Sequence, residues 1–146
     1  MKAILGDRDV QAMHSSNGAY RATVPASVMM SDLAIAHLVL DLNSNCWIGH
    51  NCHAMACLIR NGELYNLILA HPRKTSVGRW NEPGDPKDDY SNFDPTIQKV
   101  LTHVTAGSKW KLAHLPSVPK WVSDGGRVVL IGDAAHILSA MCCYSY

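Results

Sequence analysis

Residues 52–70, CHAMACLIRNGELYNLILA, are the stretch that decides the fold expected for this chain. Two apolar runs, residues 52–59 and 63–70, lie on either side of the pair Asn61-Gly62. An Asn-Gly pair between two β-prone runs is typical of a hairpin, because both residues tolerate the positive φ of a tight turn. Residues 46–48 (CWI) precede the hairpin and add a third strand. We therefore expect an antiparallel sheet of at least three strands.

Helices are predicted on both sides of this hairpin. Between residues 26 and 42 the apolar residues recur at roughly helical spacing, and Ser31-Asp32 is a suitable N-cap. Asp94-Pro95 begins a second helix, because aspartate followed by proline is a common helix start. Its apolar face is predicted to consist of Ile97, Val100, Leu101 and Val104. Residues 72–89, rich in Pro, Gly, Asn and Asp, are expected to form a loop.

Three further strands are predicted. Residues 19–25 (AYRATVP) combine β-branched and aromatic residues with a closing proline, and residues 109–115 read as a strand as well. Residues 128–131 (VVLI) form a continuous apolar run, which is typical of a strand buried on both faces. Residues 134–141 then have the composition of a helix. The expected fold class is α+β, with a mainly antiparallel sheet, flanking helices and a strand-turn-helix unit near the C-terminus.

Composition and charge argue against several classes of partner. The chain has 146 residues, of which 47% are hydrophobic, and 13 basic against 12 acidic residues leave a net charge of +1. This near balance gives no electrostatic case for nucleic acid or an anionic membrane. No apolar stretch approaches the roughly 18 residues of a membrane helix, and the first residues do not resemble a signal peptide. We expect a soluble, cytoplasmic protein of undetermined oligomeric state.

The cysteines raise the possibility of a metal site. Cys46, Cys52 and Cys57 lie close in sequence to His50 and His53. Structural zinc usually has two pairs of ligands separated along the chain, and the second pair is missing here. The sequence therefore favours free thiols in a reducing compartment and no metal site.

The most specific chemical motif is residues 127–136, RVVLIGDAAH. Gly132 has no side chain, so a ligand can approach its backbone. Asp133 can accept hydrogen bonds from hydroxyl groups, while the helix N-terminus, including the N–H of Ala134, attracts a phosphate. A polyol joined to a pyrophosphate satisfies both features, and FAD contains both groups. The alternative is a helix-capping aspartate without any ligand, which is common.

The full string resembles the second FAD-contacting motif of the FAD-dependent aromatic hydroxylases, and it is most similar to the salicylate hydroxylase-like flavin monooxygenases. Further segments resemble the same family in the same order: residues 19–25, 47–49 (WIG), 62–66 (GELYN), 93–95 (FDP) and 108–112 (SKWKL). The resemblance implies that residues 1–118 belong to a substrate-binding domain and residues 119–146 to part of an FAD-binding domain.

Two departures from the family pattern bear on cofactor binding. The Gly-x-Gly-x-x-Gly turn that binds the ADP end of FAD in this family does not occur in the sequence. Ala140 also stands where the family has a proline after the motif. We therefore expect an internal fragment that retains FAD weakly or not at all, because one carboxylate and one helix terminus contribute only a few kcal/mol.

The resemblance implies an FAD-dependent monooxygenase that hydroxylates a small, salicylate-like aromatic substrate with NAD(P)H and O2. It implies that Gly132, Asp133 and Ala134 contact the cofactor. The flavin supplies the chemistry in this family, and we assign no catalytic residue, since no nucleophile-base-acid arrangement is present. The alternative is a non-catalytic remnant or passive binding module without bound flavin.

Four residues of the predicted sheet are candidates for substrate contact: Arg21, Tyr20, His53 and Tyr65. An arginine can hold an aromatic carboxylate through two parallel hydrogen bonds. Since side chains alternate along a strand, only one face of each strand can line a pocket. A packing or surface position is the alternative for all four residues.

Overall fold

The computed structural model describes residues 13–72, 79–87, 89–114, 116, 120–132 and 135. The chain divides into two compact units, residues 17–111 and residues 1–16 together with 112–146. Among the helices in the described ranges, none has the length and apolar character needed to cross a membrane. The division into domains at residues 118 and 119 stays a prediction.

The described residues form six strands and three helices. The strands are β1 Met13–Pro25, β2 Ser44–Gly49, β3 Cys52–Ile59, β4 Leu64–His71, β5 Asn81–Pro83 and β6 Gly107–His114. The helices are α1 Ala26–Met30, α2 His37–Leu40 and α3 Pro95–Thr102. The strands lie in one sheet in the order β2-β3-β4-β1-β6-β5. This arrangement confirms the predicted α+β class.

The central hairpin forms as its sequence predicts. β3 pairs antiparallel with β4, and β4 pairs antiparallel with β1. The turn between β3 and β4 has positive φ angles at Arg60 (49°), Asn61 (53°) and Gly62 (88°). The Asn-Gly pair lowers the strain of this conformation, since asparagine and glycine adopt positive φ more readily than other residues.

One face of the sheet is covered by the helices and forms the core. Its strand residues are Tyr20, Ala22 and Val24 of β1, Ala54 and Ala56 of β3, and Tyr65, Leu67 and Leu69 of β4. The helix α3 contributes Ile97, Val100 and Leu101, and Val104 follows it, so its predicted apolar face is confirmed. Asp94 caps this helix as expected, because its carboxylate accepts a hydrogen bond from the Thr96 N–H at 2.8 Å.

The opposite side of the sheet is the one we call the open face. It carries Ile48 of β2, Met55 of β3, Ile68 of β4, and Arg21 and Thr23 of β1, as the cross-strand pairing requires. The Met55 side chain is 46% exposed, and Ile48 and Arg21 are exposed as well. Apolar and charged side chains therefore lie side by side on a surface that the helices leave uncovered.

The prediction of one helix that starts at Ser31-Asp32 was wrong. Ser31 instead ends α1, and its hydroxyl donates to the Val28 carbonyl at 2.7 Å. The Asp32 carboxylate binds Lys99 and His103 of the α3 region, each at 2.9 Å. These tertiary contacts fix a turn between α1 and α2, so they override the local helical periodicity.

The apolar run 128–131 is not the buried strand that its composition predicts. Leu130 is 7% exposed, whereas Ile131 is 75% exposed and both Val128 and Val129 are exposed. Within the described residues the run has one β-bridge, between Val129 and Val122. A strand is buried on both faces only where neighbouring strands and covering layers exist, and residues 121–123 provide one short neighbour. The helix predicted at residues 134–141 lies outside the described residues, except for Ala135.

The predicted loop 72–89 contains a short strand that the sequence did not indicate. β5 pairs with β6 through Asn81–Trp110, Glu82–Lys109 and Pro83–Ser108. β5 is the edge strand of the sheet, where proline is tolerated because one side of the strand needs no hydrogen-bond donors. The Pro, Gly, Asn and Asp residues around β5 are typical of a loop, so the composition of this segment did not predict the strand.

Candidate functional site

A cleft of about 380 Å³ lies on the open face between β1, β4 and the start of β6. Its lining residues are Arg21, Ala22, Thr23, Asn66, Ala106, Gly107 and Ser108. Thr23 and Asn66 are cross-strand partners, so their side chains lie on the same face. The cleft therefore combines a guanidinium, two hydroxyls and an amide, all of which can donate hydrogen bonds.

Arg21 is held in place by an aromatic ring. Its guanidinium carbon lies 5.6 Å from the centre of the Trp110 ring. Such a contact contributes about 0.5–1 kcal/mol at an exposed site. The Trp110 Nε1–H in turn donates to Ser108 Oγ at 2.8 Å. The Ser108 hydroxyl thus orients the Trp110 ring, and the ring restricts the position of the Arg21 guanidinium.

Arg21 also keeps its charge available for a ligand. In the described part of the chain the ion pairs involve other residues, and no carboxylate pairs with Arg21. A guanidinium presents parallel N–H groups that match the two oxygens of a carboxylate. The cleft is therefore suited to an anion with a planar oxyacid group.

His53 lies on the open face, where the sheet pairs it with Ile48 on one side and Ala70 on the other. It is only 4% exposed. Burial lowers the pKa of the His53 imidazole, because the charged form loses hydration. The ring is therefore neutral near pH 7.

Tyr20 and Tyr65 lie on the other side of the sheet, within the core. The Tyr20 hydroxyl donates to Asp89 Oδ2 at 2.9 Å, and its ring stacks on His71 at 4.8 Å. The Tyr65 hydroxyl accepts from Asn45 Nδ2 at 3.1 Å, and burial raises its pKa. Of the four candidates, the open face carries Arg21 and His53. Substrate contact remains a prediction.

The glycine of the RVVLIGDAAH motif has a left-handed backbone conformation, which favours glycine. Gly132 has a φ of +53°, and a Cβ built on it would meet no atom within 4 Å. Its carbonyl accepts from the Ala135 N–H at 2.9 Å, so the chain turns there. Cofactor contact at Gly132 stays a prediction. Asp133 and Ala134 lie outside the described residues.

The cysteines of the β2–β3 hairpin are separated by the sheet. Cys46, Cys52 and Cys57 are free thiols, and burial raises the pKa of Cys52. Pairing places Cys46 and Cys57 on the open face and Cys52 on the other face. Among the described residues no three His, Cys, Asp or Glu side chains converge as metal ligands would.

Comparison with known proteins finds relatives among monooxygenases and hydroxylases. No family model matches the chain. It is 29% identical over 137 residues to the FAD-dependent monooxygenase OpS4 of Beauveria bassiana, an alignment that covers 92% of this chain and 32% of the relative. It is 31% identical over 140 residues to the 3-hydroxybenzoate 6-hydroxylase of Klebsiella oxytoca, with the same coverage, 92% and 32%.

The fold agrees with these sequence relatives. The chain superposes on a salicylate hydroxylase in its substrate complex with a TM-score of 0.69 and 24% identity, over 91% of this chain and 35% of that structure. Sequence and fold together support a likeness to the FAD-dependent aromatic hydroxylase family. It spans about a third of the length of the curated relatives that it matches.

Sequence reasoning missed three polar residues of the cleft, Thr23, Asn66 and Ser108, and also Trp110, whose ring contacts Arg21. Thr23 is two residues from Arg21, so the period of a strand alone places both on one face. Asn66 is a single amide inside an apolar run, which is itself a signal. Ser108 and Trp110 come from a strand far along the chain, and only the sheet order brings them to Arg21.

Proposed function

We propose that this chain is the substrate-side part of an FAD-dependent monooxygenase that hydroxylates a small aromatic acid. In this proposal residues 1–118 form the substrate-binding domain and residues 119–146 belong to the FAD-binding domain. The observation that carries the proposal is the cleft on the open face, in which the Arg21 guanidinium has no ion pair among the described residues and lies over the Trp110 ring. The names of the relatives, which include a hydroxybenzoate hydroxylase, support the same substrate class.

Each part of the substrate has a complementary part of the open face. The carboxylate binds Arg21 through two N–H groups, and Thr23, Asn66 and Ser108 add neutral donors at the same end. The aromatic ring lies on the apolar part of the face, which Ile68 provides beside Arg21. Burial of a flat ring against a sheet orients it and removes water from around it.

The cofactor in this proposal is FAD, bound in part by the turn at Gly132, Asp133 and Ala134. The bare and accessible backbone of Gly132 fits this role. When bound, FAD activates O2 for transfer to the ring after reduction by NAD(P)H. This turn alone would hold FAD with a dissociation constant on the order of 1 mM, because a few kcal/mol correspond to that affinity. We therefore expect weak retention by this chain.

The residues of the chain position the substrate and do not carry the chemistry. Arg21 fixes the carboxylate and thereby sets which ring carbon faces away from the sheet. His53 adds a neutral imidazole to the same face, since burial lowers its pKa. The sheet supplies a rigid support, and sites on rigid elements hold a substrate more accurately than sites on loops.

Calorimetric titration of the purified chain with salicylate tests this proposal. Replacement of Arg21 by Gln should weaken salicylate binding about tenfold or more, because a hydrogen-bonded charge contributes about 1.5–3 kcal/mol. Arg60→Gln is the matched control, since Arg60 is an exposed arginine in the turn between β3 and β4. Benzyl alcohol, which has the ring without the carboxylate, should bind more weakly than salicylate to the unmodified chain.

Two outcomes would contradict the proposal. One is equal affinity for salicylate and benzyl alcohol, which would mean that no group recognises the carboxylate. The other is equal salicylate affinity of the Arg21→Gln and Arg60→Gln variants. A folded chain that binds neither ligand would support the alternative of a non-catalytic remnant.

A further inference from the structure

We infer that Tyr90 is a positioning residue for the buried ring of His53: from the core side, its hydroxyl fixes the backbone of His53 and of its cross-strand partner Ala70. The inference rests on the proposed function in one respect, namely that the open face is the substrate side. The contacts themselves are independent of that proposal. All of them lie within residues 17–111, which form one compact unit.

The Tyr90 hydroxyl meets two backbone carbonyls at once. It donates to the Ala70 carbonyl at 2.7 Å and approaches the His53 carbonyl at 3.2 Å. Ala70 and His53 are cross-strand partners in β4 and β3. One hydroxyl proton is therefore shared between the backbones of β3 and β4 at His53, whose side chain points to the opposite face of the sheet.

Tyr90 is held firmly by its own surroundings. It is 1% exposed, and its ring meets Phe93 edge to face with a centroid distance of 5.1 Å. Its backbone N–H donates to the carbonyl of the buried Pro86 at 3.1 Å. The preceding residue, Asp89, accepts a hydrogen bond from Tyr20 of β1 at 2.9 Å. The segment that carries Tyr90 is thus fixed to three strands of the sheet.

The hydroxyl has a role that packing does not explain. Phenylalanine would fill the same core volume without placing a polar group there, and a buried hydroxyl costs free energy unless it is hydrogen-bonded. Burial raises the pKa of Tyr90 well above its usual range, so the phenol keeps its proton and remains a donor. The buried donor is directed at the backbone of His53 and its partner.

Replacement of Tyr90 by Phe tests the inference. The ring stays, so the variant should fold, while the two carbonyls lose their shared donor. We expect the paired strand ends to loosen and water to reach the imidazole. The pKa of His53, measured by NMR titration of its ring signals, should then rise toward its ordinary value. Salicylate affinity should fall about threefold or more if the open face is the substrate side.

Tyr65→Phe is the matched control. It also removes a buried hydroxyl from the core face of the sheet, but that hydroxyl bonds the side chain of Asn45 and not the backbone of His53. In the Tyr65→Phe variant the pKa of His53 should equal its value in the unmodified chain. An unchanged His53 pKa in Tyr90→Phe, or an equal rise in both variants, would overturn the inference.

The two readouts separate this inference from the proposed function. The His53 titration needs neither flavin nor substrate, so it reports on positioning alone. A raised pKa in Tyr90→Phe together with no salicylate binding by the unmodified chain would support the positioning role and contradict the proposed substrate. A raised pKa with weakened salicylate binding would support both.

Discussion

At the scale of single residues, Arg21 and Tyr20 show what the sequence settles and what it leaves open. They are neighbours on one strand, so alternation alone places them on opposite faces. The covered face is then identified by its neighbours: Tyr20 packs among buried residues and Arg21 lies on the open face. Sequence reasoning found Arg21 as a candidate, but it had no means to find Trp110, whose position depends on the order of strands.

The buried imidazole of His53 leads to a prediction about pH. Its pKa in the folded chain is lowered from 6.5 by burial. The unfolded chain therefore takes up a proton at a higher pH than the folded chain does, and the free energy of unfolding should decrease as the pH falls below about 6.5. His53→Gln should show a smaller decrease, in urea unfolding measured between pH 7.5 and 5.5. Equal slopes in both proteins would show that His53 is not buried as the structure has it.

At the scale of elements, strands and helices differ in how well they were predicted. The hairpin of β3 and β4 follows from local signals, since its turn residues and its apolar runs agree. The region of α1 and α2 could not be predicted from local signals. Its turn is fixed by Lys99 and His103 of the α3 region, which lies about 70 positions further along the chain. Local periodicity contains no information about such a partner.

The contacts of Asp32 lead to a prediction at this scale. Hydrogen bonds from His103 and then from Lys99 lower the pKa of Asp32 from 3.8 to about 2. The resulting stabilisation is present above pH 3.8 and is lost as the pH falls toward 2. Asp32→Asn should therefore lower the free energy of unfolding at pH 7 and have little effect near pH 2. The measurement is urea unfolding at both pH values.

Asp41→Asn is the matched control for this prediction, because Asp41 is an exposed aspartate that follows α2. It should leave stability at pH 7 nearly unchanged. If Asp32→Asn and Asp41→Asn have the same effect at pH 7, the contacts between Asp32 and the α3 region do not stabilise the turn.

At the scale of the whole molecule, burial is the property that sequence predicts least well. Residues 128–131 have the composition of a buried strand, yet Val129 and Ile131 are exposed in this chain. An apolar composition indicates that a segment is more stable when it is buried. Its actual exposure depends on which other segments pack against it. The chain spans about a third of the length of its curated relatives.

The cleft at Arg21 is also a property of the whole sheet, because its lining comes from β1, β4 and the start of β6. Three strands distant in sequence must pair in the right order before a guanidinium, an amide and two hydroxyls meet. The family resemblance predicted the fold and suggested the substrate class that we propose, and the structure supplies the residues of the cleft. The central claim is that these residues together bind an aromatic carboxylate.

An NMR titration of the isotopically labelled chain with salicylate tests that claim most directly. We expect progressive, saturable shifts of the Arg21 side-chain N–H signals, the Asn66 amide and the backbone amides of Thr23 and Ser108, with no shift at Arg60. Shifts confined to residues outside the cleft, or no shift at Arg21 at saturating salicylate, would contradict it.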